Sequence, residues 1–278
     1  MKMTEVPLVK LNDGSTIPQL GVGVWQVPPE QTTEVVRKAL QVGYRHIDTA
    51  AAYGNEQSVG AAIAESGIPR EELYVTTKLW VSDFKNGDPR QALEASLQEL
   101  GMDRVDLYLI HWPAPEDRRY IDAWLALERL QAAGLTRSIG VSNFLPEHLD
   151  AVAEAGSVTP AVNQIEIHPA LQQRQTQATN EKYGIATQAW SPLGQGTTFD
   201  AEPIVAAAQN HSVSAAQVII RWHLQQGRIL FPKSVTPARI EQNFDVFGFE
   251  LTDQELAAID GLERDERTGF HPAEFNPA

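Results

Sequence analysis

Four side chains in this sequence are suited to moving a proton: Asp48, Tyr53, Lys78 and His111. The first two stand in GYRHIDTAAAYGNE, residues 43–56, where a strand-like run gives way to a loop. Lys78 ends the run LYVTTK, and His111 follows the apolar run DLYLI. A free tyrosine has a pKa of about 10, too high for ready proton donation and return near neutrality. A neighbouring ammonium stabilises the phenolate and lowers that value. Lys78 can supply this charge, and Asp48 can hold Lys78 cationic. His111 can hydrogen-bond a substrate oxygen or relay the proton. The set suits protonation of an oxygen as a carbonyl becomes an alcohol. The seven histidines show neither HxH nor HxxxH spacing, so no zinc site is expected. No GxSxG nucleophile elbow occurs.

Each residue has a plainer reading. Asp48 could cap a turn, Tyr53 could be an amphipathic wall residue, Lys78 could snorkel to the surface, and His111 could be a satisfied core histidine. What favours chemistry is their common placement at the ends of three successive strands, and that rests on the elements around them.

Helix-like segments close on Gly43, Gly67, Gly101, Gly134, Gly156, Gly184 and Gly227, where the left-handed cap conformation costs glycine little. Leu93, Leu97 and Leu100 recur with helical spacing, as do Trp124, Leu127 and Leu130. After the glycines come YRHI, LYVTTK, RVDLYLI, TRSIGV, PAVNQIEI, IATQAW and RILF, all strand-like. GVGVW at 21–25 supplies an eighth strand before the first helix. Eight strand–helix alternations predict an α/β fold, a (β/α)8 TIM barrel occupying the whole chain, 1–278, as one domain. A doubly wound sheet is disfavoured because GVGVWQ lacks the third glycine of GxGxxG. Asp13-Gly14, between short apolar runs, predicts a β-hairpin capping the barrel bottom. SAAQVIIRWHLQQ, 214–226, predicts an additional helix. LTDQELAAIDGL, 251–262, predicts another, with a Thr252–Glu255 capping box. The tail RDERTGFHPAEFNPA is expected to be irregular.

In such a barrel the site lies at the C-terminal strand ends. These carry Trp25, Asp48, Lys78, His111, Ser142 with Asn143, Gln164 with Glu166, Trp190, and Lys233 with Ser234. Side chains cannot donate hydride, so carbonyl reduction requires a cofactor. The amides and hydroxyls of SIGVSNF and VNQIEIHP suit a carboxamide, and Trp190 offers a flat face. The glycines of SPLGQG let backbone approach a pyrophosphate. Lys233, Ser234 and Arg239 surround the start of a predicted helix, which suits a further phosphate and hence NADP(H) over NAD(H).

The formal net charge of −14 makes that basic cluster conspicuous and argues against nucleic acid or anionic membranes as partners. The absence of cysteine excludes disulfides and is compatible with a reducing cytoplasm. MKMTEVPLVKLNDG lacks a signal-peptide core, and no apolar run is long enough to span a membrane.

The sequence resembles the aldo-keto reductase family over roughly 6 to 270, with GYRHIDTAAAYGNEQSVG matching its first signature. The resemblance implies a (β/α)8 barrel, NADPH as cofactor and a small carbonyl substrate. It assigns Asp48, Tyr53, Lys78 and His111 as the catalytic tetrad, with Tyr53 as general acid. It implies nicotinamide contacts from Ser142, Asn143, Gln164 and Trp190, and 2′-phosphate contacts from Lys233, Ser234 and Arg239. The implied cofactor set also includes Ser191, Leu193 and Gly194 in the glycine loop, and Val235, Gln242 and Asn243 beside the basic cluster. Gln242 stands where the family often has glutamate, and the loop after Gly196 is shorter than in close relatives. TRSIGVSNF, VNQIEIHPA and WSPLGQG are most similar to the bacterial 2,5-diketo-D-gluconate reductase branch, which implies that substrate or small dicarbonyls. The short segment after His111 and the short tail imply an open substrate pocket walled by Trp25, Trp80 and Trp112. A monomer is expected. Two other classes compete. One is a Schiff-base aldolase using Lys78, disfavoured because Asp48 keeps that amine charged. The other is an NADPH-sensing binding protein with no turnover.

Overall fold

The computed structural model describes residues 6–277; the N-terminal MKMTE and Ala278 lie outside them. The chain opens with a hairpin of β1 (Leu8–Lys10) and β2 (Thr16–Pro18), paired antiparallel with Val9 opposite Ile17. Its turn contains the expected Asp13-Gly14, with Gly14 at φ 85°. Eight parallel strands then follow in spatial order identical to chain order. They are β3 (Val22–Gly23), β4 (His46–Asp48), β5 (Tyr74–Leu79), β6 (Val105–Ile110), β7 (Thr136–Ser142), β8 (Val162–Glu166), β9 (Ala186–Trp190) and β10 (Ile229–Leu230). Gly21 N donates to Leu230 O at 2.8 Å and Leu230 N to Gln19 O at 3.0 Å, so the last strand meets the chain just before the first and the barrel closes. The two strands at this seam are shorter than GVGVW and RILF suggest.

The outer layer comprises α1 (Pro29–Val42), α2 (Glu56–Glu65), α3 (Val81–Lys85), α4 (Pro89–Leu100), α5 (Tyr120–Ala132), α6 (Pro146–Ala155), α7 (Arg174–Lys182), α8 (Glu202–His211), α9 (Ala215–Gln225), α10 (Pro237–Phe244) and α11 (Asp253–Asp260). The apolar stripes are buried as the spacing requires: Leu93, Leu97 and Leu100 on α4, and Trp124, Leu127 and Leu130 on α5. The additional helix is α9. At α11 the Thr252 hydroxyl accepts from Glu255 N while the Glu255 carboxylate accepts from Thr252 N, the expected capping box. Gly156 departs from the left-handed expectation, with φ −95°. Its small size serves a close approach instead: a Cβ there would lie 2.5 Å from the Glu128 carboxylate and 2.6 Å from the Trp124 ring nitrogen.

Strand side chains alternate between the barrel lumen and the helices. Leu11 and Ile17 of the hairpin region pack with Tyr74, Leu107, Leu109, Val162 and Ile229 in a cluster separate from the main core, so the hairpin plugs the bottom of the lumen. Counting upward by twos from these residues reaches Lys78 on β5, His111 beyond β6 and Gln164 and Glu166 on β8. The pleat therefore delivers the polar set to the upper rim.

Halfway up, His46 is wholly buried, with Nδ1 3.2 Å from Pro18 O and Nε2 3.3 Å from Thr76 Oγ1. Pro18 O only accepts, so Nδ1 carries the hydrogen and Nε2 accepts from Thr76. Burial pushes the His46 pKa down to about 4. The unfolded chain binds the proton at about 6.5. Stability from the neutral ring is thus complete above that value and is lost as pH falls from 6.5 towards 4, amounting to about 3 kcal/mol. Urea midpoints of the protein should fall across this window more steeply than those of His46→Gln, whose amide does not titrate.

Candidate active site

Asp48 is the last residue of β4, and a 3-10 turn over Ala51–Tyr53 follows. That turn explains the five-residue spacing, because it folds the phenol back over the strand end. Lys78 Nζ donates to Asp48 Oδ1 at 2.6 Å, to Thr49 O at 2.8 Å and to Tyr53 Oη at 3.3 Å. All three ammonium hydrogens are therefore engaged. Gln164 Nε2 donates to the other Asp48 oxygen at 2.9 Å and to Gln188 Oε1 at 3.1 Å. Both Asp48 oxygens accept, as an ionised carboxylate requires. Both Gln164 amide hydrogens are also used, which leaves its Oε1 as an acceptor at the cavity. His111 lies edge-on between two rings, its centroid 5.6 Å from Tyr53 and 5.0 Å from Trp80.

A second group sits on the neighbouring strand ends. Ser142 Oγ donates to Gln164 O, Asn143 Nδ2 donates to His111 O at 2.9 Å, and Trp190 Nε1 donates to Asn143 Oδ1 at 2.8 Å. Asn143 and Ser191 both have left-handed backbone, with φ 64° and 45°. Such conformations gather at functional sites, where surrounding contacts hold them.

These residues open onto one cavity of about 810 Å³. Of the predicted site residues, Trp25, Asp48, Tyr53, Trp80, His111, Trp112, Ser142, Asn143, Gln164, Trp190, Ser191 and Lys233 line it. Lys78 does not; it lies wholly buried beneath, and reaches the cavity only through Tyr53 and Asp48. The remaining predicted residues extend away from the cavity. Leu193 and Gly194 are in the turn after β9, and Ser234 and Val235 link β10 to α10. Arg239, Gln242 and Asn243 are on α10. Asn243 is buried, while Gln242 and Arg239 are exposed one helical turn apart. Among the described residues, no carboxylate lies within ion-pair distance of Lys233 or Arg239, although the chain carries a net charge of −14.

Three contributors were not anticipated. Gln188 orients Gln164 from inside the lumen, and Thr49 lends Lys78 a backbone carbonyl. The irregular tail supplies Thr268, Gly269, Phe270 and Phe275 to the cavity wall. Two phenylalanines in an otherwise polar tail were the only signal.

The electrostatics amend the sequence expectation for Tyr53. Burial raises its pKa, and this outweighs the lowering by Lys78; Asp48 adds to the rise. The phenol is therefore firmly protonated. Burial opposes the charge on Lys78, but Asp48 and Tyr53 more than offset it and hold the ammonium above its ordinary range. Burial, assisted by Lys78, drives His111 well below its usual value, so its imidazole is neutral. The site thus presents a neutral acid, a fixed cation beneath it and a neutral hydrogen-bonding ring beside it. A Schiff-base role for Lys78 needs a free lone pair, and three acceptors together with complete burial leave none.

The sequence pattern of the Aldo/keto reductase family matches residues 18–264. A Yersinia pestis protein named methylglyoxal reductase DkgA is 53% identical over 275 residues, covering 98% of this chain and 99% of the relative. A solved mutant of Gox0644 in complex with NADPH superposes with a TM-score of 0.93, at 44% identity over 98% of this chain and 99% of that one. The Bombyx mori aldo-keto reductase in complex with NADP gives 0.89, at 37% identity over 95% of each chain. The barrel, the buried Asp48–Lys78 pair beneath Tyr53 and these likenesses agree, and the chain belongs to the aldo/keto reductase family.

Proposed function

We propose that this protein uses NADPH to reduce small carbonyl compounds, with dicarbonyls such as methylglyoxal, or a sugar-derived diketone such as 2,5-diketo-D-gluconate, as its preferred class. The observation that carries this reading is the neutral Tyr53 phenol, 3.3 Å from the Lys78 ammonium at an aromatic-walled cavity. NADPH supplies the hydride. As charge develops on the carbonyl oxygen, Tyr53 gives up its proton to it. Lys78 stabilises the phenolate left behind, and Asp48 fixes Lys78. Neutral His111 hydrogen-bonds the same oxygen and sets its approach. Trp25, Trp80 and Trp112 wall the cavity against water.

The residues present fit the cofactor. Gln164 Oε1 is held free to accept from an amide, and among the described residues no carboxylate pairs with Lys233 or Arg239. Ser142, Asn143, Gln164 and Trp190 hold the nicotinamide end. Ser191, Leu193 and Gly194 hold the pyrophosphate. Lys233, Ser234, Val235, Arg239, Gln242 and Asn243 hold the 2′-phosphoadenosine. Relatives named methylglyoxal reductase support the substrate class.

The test is cofactor consumption with methylglyoxal, 2,5-diketo-D-gluconate, simple aldehydes and aldoses, with NADH in parallel. Higher kcat/KM for the dicarbonyls supports the reading; a clear preference for aldoses or plain aldehydes overturns the substrate class. Arg239→Ala should raise KM for NADPH about 10- to 100-fold, the loss of a charge-assisted phosphate bond, while barely moving KM for NADH.

A further inference from the structure

Glu166 ends β8 at the rim of the lumen, 1% exposed, and the proton-transfer set makes no use of it. Its partners come chiefly from the C-terminal tail. Oε1 accepts from Thr268 N at 2.6 Å, from Thr268 Oγ1 at 2.5 Å, and from the His168 ring at 3.2 Å. Oε2 accepts from Gly269 N at 3.3 Å. Beyond this anchor the tail crosses the cavity mouth. Gly269 lies against Trp190 so closely that a Cβ there would stand 2.5 Å from the ring. Phe270 stacks on Phe275 at 4.5 Å, Phe275 packs on Trp112 at 4.6 Å, and Asn276 Oδ1 accepts from Glu116 N. One end of this wall is therefore held by a buried carboxylate and the other by aromatic contact.

We propose that Glu166 is a positioning residue that sets the substrate wall by latching Thr268 and Gly269 across Trp190. The chemistry of the latch explains why a carboxylate stands here. A carboxylate only accepts, and all its contacts are donors. Leaving it buried without the tail donors is costly, so the seated tail and the buried charge require each other. A neutral glutamine could serve Thr268 but would turn an amide N–H towards Gly269 N–H. The latch acts on substrate binding, because no atom of Glu166 lines the cavity while four tail residues do.

The test uses the full chain, with Glu166→Ala, Thr268→Val and the double variant. KM and kcat for a turned-over carbonyl are measured at saturating NADPH, and trypsin release of residues 268–278 after Arg267 is followed by mass. Glu166→Ala should raise carbonyl KM about tenfold or more with kcat within about twofold, and speed release of the tail. Thr268→Val should raise KM less, and have no further effect in the Glu166→Ala background. Glu166→Gln should recover part of both readouts, which separates latching from a folding defect. Unchanged KM and unchanged tail release, or additive effects in the double variant, would overturn the proposal. The kinetic readout rests on the reductase reading. Tail release does not, so a protein without carbonyl turnover but with faster release in Glu166→Ala would refute that reading and keep the latch.

Discussion

Tyr53→Phe is expected to lose carbonyl reduction by about 10²- to 10⁴-fold in kcat, the span of a positioned general acid, while binding NADPH as before. The substitution deletes one oxygen and leaves the ring against His111. Lys78 keeps Asp48 and Thr49 as acceptors. Neither tetrad neighbour takes over the proton, since His111 is neutral and Lys78 does not line the cavity. The raised pKa of Tyr53 also sets the pH profile of the unsubstituted enzyme. Donation requires the protonated phenol, so reduction should hold steady through neutrality and decline only in alkali, as that proton is lost. Stopped-flow or steady-state rates across pH, with fluorescence titration of NADPH, check both parts. Retained turnover in Tyr53→Phe would remove the phenol from the mechanism.

Lys78→Met should be the more damaging change to the whole molecule. Lys78 and Asp48 are both buried and 2.6 Å apart. Removing the ammonium strands a carboxylate in the lumen, and breaking a buried pair in this way costs about 3–5 kcal/mol. Activity should fall with it, because the phenolate loses its counter-charge. Asp48→Asn added to Lys78→Met removes the stranded charge. The double variant should regain most of the urea midpoint and none of the turnover. That divergence separates the pair's electrostatic role in folding from its role in chemistry. If the double variant stayed as unstable as Lys78→Met, the cost would lie in lost packing of the lysine stem instead.

Most of the fold was legible because its signals are periodic. Strand–helix alternation implies the barrel, and the twofold pleat then carries Asp48, Lys78, His111 and Gln164 to one rim. The 3-10 turn at Ala51–Tyr53 is short enough for sequence spacing to limit where the phenol goes. Other features depend on balances between distant parts. The sign of the Tyr53 shift is a contest between burial and Lys78, and burial has no linear signature. Gly156 looks like any helix-ending glycine, yet it answers to Trp124 and Glu128 on another helix. Glu166 was visible as a strand end with no evident role. Apart from His168, its side-chain partners are about a hundred positions onward, in a tail with no periodicity to read.

The seam between Gln19–Gly21 and Leu230 has a further consequence during synthesis. The barrel's first strand leaves the ribosome with its hydrogen-bonding neighbour across the seam still untranslated, some 210 residues downstream. At about 5–20 residues per second, that partner arrives roughly 10–40 s later. The plug must wait as well, since Asn12 bonds to Pro160 and Asp13 to Ser138. The strand edge at Gly21 and part of the apolar face of the hairpin therefore stay unpaired until Ile229 and Leu230 have been made. Both seam strands are only two residues long. Their brevity leaves little edge for another nascent chain to capture before the final strand arrives.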